Sequence, residues 1–247
     1  MNRLGTSVGD LLKNNPAKKF ELIQLGKSGA GKTTRSLTAS QFGPVLIRDY
    51  DGKIQGALRN IPEEIKKEVN LDHIDIINCR DWDYDTLLKQ TKELVQLFKD
   101  GKSPYATIIE DTFTNLSDIA YRSVFTSEDK LFLSTVQQLW GRVGHKITDI
   151  LQLLQSLPCN LIVNCHTEDN EMGLPIGPAG RGGVKHKLGQ KMTDMQYVVF
   201  EQGKNKVRVR NSVMPPVNTS LDAKYIDEKG FAKVFGLSVF GDYAFKK

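Results

Sequence analysis

Eight consecutive residues, Gly26-Lys27-Ser28-Gly29-Ala30-Gly31-Lys32-Thr33, have the types and spacing that hold a chain of phosphates. Small residues let successive backbone N–H groups turn inward, and a helix opening at Lys32 points its positive end at the same place. Lys32 is then set to reach the β- and γ-phosphates and the Thr33 hydroxyl to ligate Mg2+, with Thr34 completing the nucleotide-binding set. At average residue frequencies the four fixed positions coincide by chance in roughly one chain of this length in a hundred. Such a site also needs a carboxylate for the metal at the end of a neighbouring parallel strand. Asp111, after Ala106-Thr107-Ile108-Ile109-Glu110, has that place. Glu110 beside it either polarises water or points elsewhere.

These side chains need strands and helices to bring them together. Residues 20–25 read as an apolar strand running into the glycine-rich turn, with a helix over 32–40 behind it. Further strands are expected at 44–47, 73–78, 107–109 and 161–164, and helices at 62–69, 84–98, 114–125 and 131–157. Residues 197–200 and 206–209 read as a hairpin turned at Gly203-Lys204-Asn205. Strands alternating with helices imply an α/β fold, with a largely parallel sheet flanked by helices and an antiparallel hairpin at one edge. Residues 167–185 show no regular pattern, and a gap of that length in a compact domain is a functional loop or a disordered one. Neither repeat nor interdomain linker is visible. The chain divides into a polar lead-in at 1–19, a core at 20–212 and an extension at 213–247 with no readable role.

The 247 residues suffice for one full α/β core. A net charge of +5, from 34 basic and 29 acidic residues, is compatible with a polyanionic partner without establishing one. No apolar run approaches the roughly 18 residues of a membrane span, and the first 20 residues lack the apolar centre of a secretion signal. Cys79, Cys159 and Cys165 have neither metal-binding spacing nor a Cys-x-x-Cys pair. They read as buried free thiols in a reducing cytoplasm.

With these segments in place, the sequence resembles the small RecA-like ATPases encoded by bacteriophages, of the single-strand-annealing and recombinase type. The resemblance spans about residues 20–209 and rests first on the cradle. It continues in Val45-Leu46-Ile47-Arg48-Asp49-Tyr50-Asp51-Gly52 and Ile108-Ile109-Glu110-Asp111-Thr112-Phe113-Thr114-Asn115-Leu116. Trp140-Gly141-Arg142-Val143-Gly144 and Asn164-Cys165-His166-Thr167-Glu168 extend it. It implies a RecA-like P-loop NTPase core, ATP and Mg2+ as cofactors, a homo-oligomeric ring or filament, and a bacterial host's cytoplasm as the location, with no membrane.

The resemblance also implies roles. Asp51, with Asp49 two residues before it, has the place of the acid that activates water, where the family commonly carries the longer Glu. Asp51-Gly52 reads equally as a turn. His166 ends a core strand where the family places a γ-phosphate sensor. The following loop corresponds to a mobile DNA-binding loop, and Arg181, Lys185 and Lys187 among its glycines suit a phosphodiester backbone. A solvated surface loop is the plain alternative. Lys206, Arg208 and Arg210 share one face of the last strand. In the family, basic residues there reach a neighbour's γ-phosphate in trans, while a basic edge that blocks aggregation is an equally physical reading.

The implied function is ATP-dependent, DNA-stimulated binding of single-stranded DNA with annealing or strand exchange, with single-strand-binding or other recombination proteins as partners. Two other readings stay open. One is an ATP-binding switch or mediator with little hydrolysis, which the short Asp51 favours. The other is a small-molecule kinase with residues 167–185 as a lid, where Arg181 is the only arginine. The absence of Asn-Lys-x-Asp argues against a guanine-specific site.

Overall fold

The structure, a computed structural model, describes residues 19–125, 133–171, 175–180, 188, 192–209, 223–232 and 235–238. Seven strands make the main sheet. In chain order they are β1 (Glu21–Leu25), β2 (Val45–Asp49), β3 (Ile74–Asn78), β4 (Thr107–Asp111), β5 (Asn160–Cys165), β8 (Asp194–Glu201) and β9 (Lys204–Arg208). Two short strands, β6 (Thr167–Asp169) and β7 (Pro175–Pro178), pair only with each other. The main sheet runs β3-β2-β4-β5-β1-β8-β9, with every neighbouring pair parallel except β8 with β9. The helices are α1 (Lys32–Leu37), α2 (Ile54–Arg59), α3 (Glu63–Lys66), α4 (Tyr84–Lys99), α5 (Phe113–Arg122) and α6 (Leu133–Gln155).

The central strands are buried along their whole length, as near-continuous apolar runs require of parallel strands covered on both sides. Alternation sends successive side chains to two cores. Ile23, Leu46, Ile108, Leu161 and Val163 pack under α4, α5 and α6. Leu22, Ile47, Ile109 and Ile162 pack on the other face with Ala30 and Leu37, beneath the cradle and α1. The same alternation divides the polar strand ends: Arg48 and Glu110 turn to the first face, and Asp49, Asp111 and Asn164 to the second. Paired register places Asp49 opposite Asp111 and Asp111 opposite Asn164.

Several elements differ from the sequence reading. α1 ends at Leu37 and continues as a 3-10 turn over Thr38–Phe42. There the Thr38 and Ser40 hydroxyls bond the carbonyls of Arg35 and Leu37, at 2.7 Å each, local bonding that competes with a regular helix. The helix expected at 62–69 shortens to the four residues of α3. The patternless stretch after His166 opens with the β6–β7 hairpin. At the sheet edge only β9 is antiparallel, and the β8–β9 turn sits one residue earlier than expected. Gln202 and Gly203 both have positive φ, 55° and 73°, as a two-residue hairpin turn of this hand demands.

The described part of the C-terminal extension packs on the core. Ile226 and Leu237 are buried beneath α1 with Phe235 beside them, and Phe231 joins the other core. Arg35, fully buried in α1, donates to the Phe235 carbonyl at 2.7 Å, and the Leu237 N–H donates to Thr38 Oγ1 at 2.8 Å. Cys79, Cys159 and Cys165 are free buried thiols, each pushed up to about 12 by burial and therefore protonated. Among the described residues no helix is long and apolar enough to cross a membrane.

Candidate nucleotide site

The cradle leaves β1 at Gly26, whose N–H donates to the Cys165 carbonyl, and enters α1 through Gly31. Gly29 and Gly31 have φ of 77° and 94°, a region that side-chain-bearing residues rarely adopt. Gly26 needs its missing side chain for another reason: a Cβ would lie 2.4 Å from the Val198 carbonyl oxygen. Lys32 bends back over the turn it ends. Its Nζ donates to the carbonyls of Gly26 and Lys27 at 2.8 and 2.9 Å. Burial lowers its pKa, partly offset by the Asp111 carboxylate. Among the described residues this buried ammonium is held only by main-chain oxygens, and an anion can replace them.

Thr33 Oγ1 donates to Asp111 Oδ2 at 2.6 Å, joining α1 to the end of β4. Burial raises the Asp111 carboxyl to about 6, while the Thr33 hydroxyl opposes the rise and Asp51 adds to it. Asn164 also faces this carboxyl and lowers it. Below Asp111, the Gln24 amide donates to Asn164 Oδ1 at 2.9 Å and Ser36 Oγ donates to the same oxygen at 3.0 Å. Asn164 Nδ2, buried and facing the Asp111 carboxyl, falls short of full hydrogen-bond geometry with it or with any other described residue. No role was read from Asn164 in the sequence; the signal was an amide one strand over from Asp111.

The end of β2 is organised by Asp49. Its buried carboxylate accepts from the N–H groups of Asp51, Gly52 and Ile54, at 3.3, 2.9 and 3.1 Å, and so folds the turn into α2. This turn carries Asp51 to the cradle. Asp51 accepts from the Lys53 N–H at 3.2 Å and pairs with Lys53 Nζ at 3.1 Å. His166, half-buried, has a lowered pKa, chiefly from burial and next from the Lys32 ammonium, so its neutral form is favoured.

A cavity of about 290 Å3 brings most of the expected set together: Ser28, Gly29, Gly31, Lys32, Thr33, Thr34, Asp51, Asp111 and His166. Lys53, Gly56, Ala57 and Asn60 also line it. They were not foreseen, because α2 is six residues long and lacks apolar periodicity. Lys27 does not line it and is paired instead with Asp169 of β6 at 3.0 Å, and Ala30 is buried beneath the cradle.

Glu110 does not join them. It lies on the other face, fully buried, gripped by Arg48 Nε and Nη2 at 2.7 and 2.8 Å and by the Tyr50 hydroxyl at 2.5 Å. With both oxygens engaged it has no path to a water in the cradle. Lys206 and Arg208 lie over the Phe231 ring, at 5.4 and 4.8 Å from its centroid. They too belong to the face opposite α1. Arg181, Lys185, Lys187 and Arg210 lie outside the described residues.

The arrangement can bind a triphosphate through the cradle, hold a divalent cation between a hydroxyl and a carboxylate, and present a second acid across the cavity. Among the described residues no group of three His, Cys, Asp or Glu side chains forms a metal cluster. The Thr33 hydroxyl and the Asp111 carboxylate fit Mg2+, which is held by one or two carboxylates together with phosphate and water. A family model described as an AAA domain matches residues 18–220, most of the chain. No curated protein matches it.

Proposed function

We propose, from the premise that this chain belongs to the AAA domain family of P-loop ATPases, that it hydrolyses ATP with Mg2+ and acts as a homo-oligomer on single-stranded DNA. Annealing or strand exchange is the outcome we assign to that coupling. The observation that carries the hydrolytic part is the single cavity shared by Lys32, Thr33, Asp51 and Asp111. The DNA part rests on the resemblance in the motifs after β2, β4 and β5.

Lys32 leaves the carbonyls of Gly26 and Lys27 for the β- and γ-phosphates, while the cradle's N–H groups orient them. Thr33 and Asp111 would hold Mg2+, which when bound neutralises charge on the phosphate oxygens. Asp51 orients the attacking water and takes its proton. His166 and Asn164 Nδ2 sense whether the γ-phosphate is present, and His166 leads directly into β6. The Lys27–Asp169 pair gives the hairpin a second tie to the cradle.

One observation favours a switch with slow turnover instead: Lys53 occupies both oxygens of Asp51. ATP turnover measured with and without oligothymidylate separates the readings. DNA stimulation supports the coupled ATPase. ATP binding without turnover in either condition assigns a switch, and turnover that requires a small acceptor assigns a kinase.

A further inference from the structure

Beyond Asp51, away from the cradle, the surface opens into a second cavity of about 630 Å3. Asp51 and Lys53 belong to the walls of both cavities, so an occupant of the second touches residues that face the phosphates in the first. Three cations reach it from separate segments: Arg80 after β3, Arg122 at the end of α5, and Lys53 before α2. Arg80 and Arg122 are exposed, and neither makes an ion pair among the described residues. Three carboxylates share the wall: Asp51 is held by Lys53, Asp118 has an interaction of its own, and Asp81 is exposed beside Arg80. Selectivity for a phosphodiester therefore comes from the forked geometry of Arg80 and Arg122 rather than from net charge. Tyr121 adds an aromatic wall, braced by Phe125 at 4.5 Å and Trp140 at 5.3 Å between ring centroids.

Guanidinium groups bind phosphate oxygens in forked pairs, and an aromatic face beside them accepts a base of any identity. The volume falls within the roughly 300–1,000 Å3 of small-ligand pockets, enough for about one or two nucleotides and too small for a duplex. We propose that this cavity seats a phosphodiester segment of single-stranded DNA, with phosphates on Arg80 and Arg122 and a base against Tyr121, and that a seated phosphate draws Lys53 off Asp51. The inference rests on the DNA reading of the previous subsection and supplies its site and its coupling. Lys53 is 77% exposed, and an exposed ion pair is weak enough for a phosphodiester to break. Asp51 Oδ2, once released, is free to orient water while Oδ1 keeps the Lys53 N–H. DNA thereby accelerates hydrolysis through one ion pair, without a long relay.

The test uses the full chain, with fluorescein-labelled oligothymidylate followed by anisotropy and ATP turnover followed alongside. Arg80→Glu with Arg122→Glu is expected to weaken DNA binding about tenfold or more and to abolish stimulation, leaving turnover without DNA unchanged. Both positions are exposed, so the fold tolerates the exchange. Lys53→Met is expected to raise turnover without DNA toward the stimulated rate. A double variant that binds DNA and is stimulated like the wild type overturns this site and leaves the DNA reading standing. A wild type that binds no DNA and is not stimulated overturns both. Displacement of the oligonucleotide by inorganic phosphate at equal phosphate concentration makes this a free-phosphate site and overturns the proposal.

Discussion

Asp111→Asn should make the unliganded protein more stable while removing its activity. The Asp111 carboxyl, ordinarily near 3.8, is raised to about 6 by burial. The folded protein therefore holds this proton more tightly than the unfolded chain does. That contribution is fully present below the unfolded value and is lost as the pH rises through about 6. At about pH 8 the fold carries a buried carboxylate at a cost on the order of 3 kcal/mol, from about 1.4 kcal/mol per pKa step. An amide there does not ionise, and its oxygen still accepts from Thr33. Urea unfolding at about pH 8 should show the variant more stable by up to about 3 kcal/mol, with the gap closing near pH 4. Mg2+-dependent ATP turnover should fall by roughly a hundredfold or more, because a carboxylate aimed at the metal is gone. A variant less stable than the wild type at about pH 8, or a gap that does not change with pH, refutes the reasoning.

Arg48→Leu or Glu110→Leu alone should cost about 3–5 kcal/mol in urea unfolding, because each strands a buried charge. The double exchange should cost far less than the sum of the two, and additivity would show that the pair is not coupled. Gly31→Ala combines a φ of 94° with a Cβ 2.8 Å from the Phe235 ring. It should lower the melting temperature by several degrees, corresponding to about 1–3 kcal/mol, and an unchanged melting temperature would contradict the close packing of Phe235. The Mg2+ concentration needed for half-maximal turnover should rise as the pH falls below about 6, where Asp111 of the metal-free protein takes up its proton. A Mg2+ requirement flat through that range would separate Asp111 from the metal.

The parallel sheet and its two covering layers were legible because buried parallel strands are written as short, unbroken apolar runs between helical patterns. The cradle was legible because its backbone geometry tolerates few residue types, and Asp111 because a strand end is a fixed address. Glu110 was ambiguous from spacing alone. One residue along a strand reverses the face, and only packing showed that Glu110 turns to Arg48 while Asp111 turns to Thr33. α2 escaped notice because its position depends on Asp49 accepting three N–H groups, a tertiary capping arrangement with no periodic signature. Asn164 was visible as a residue, but its orientation depends on Gln24 and Ser36, which come from different elements. The packing of Phe235 and Leu237 onto the core joins residues about 200 positions from their partners Arg35 and Thr38, beyond the reach of local pattern.

The central claim is that Lys32 serves the triphosphate and not the fold. Steady-state phosphate release from Mg2+-ATP, with and without single-stranded DNA, should be compared between the wild type and Lys32→Ala, alongside their unfolding curves. The account predicts turnover reduced by at least roughly a hundredfold with an unfolding free energy near that of the wild type, since among the described residues the ammonium is bound only to two carbonyls of the cradle. Full turnover in Lys32→Ala would contradict it.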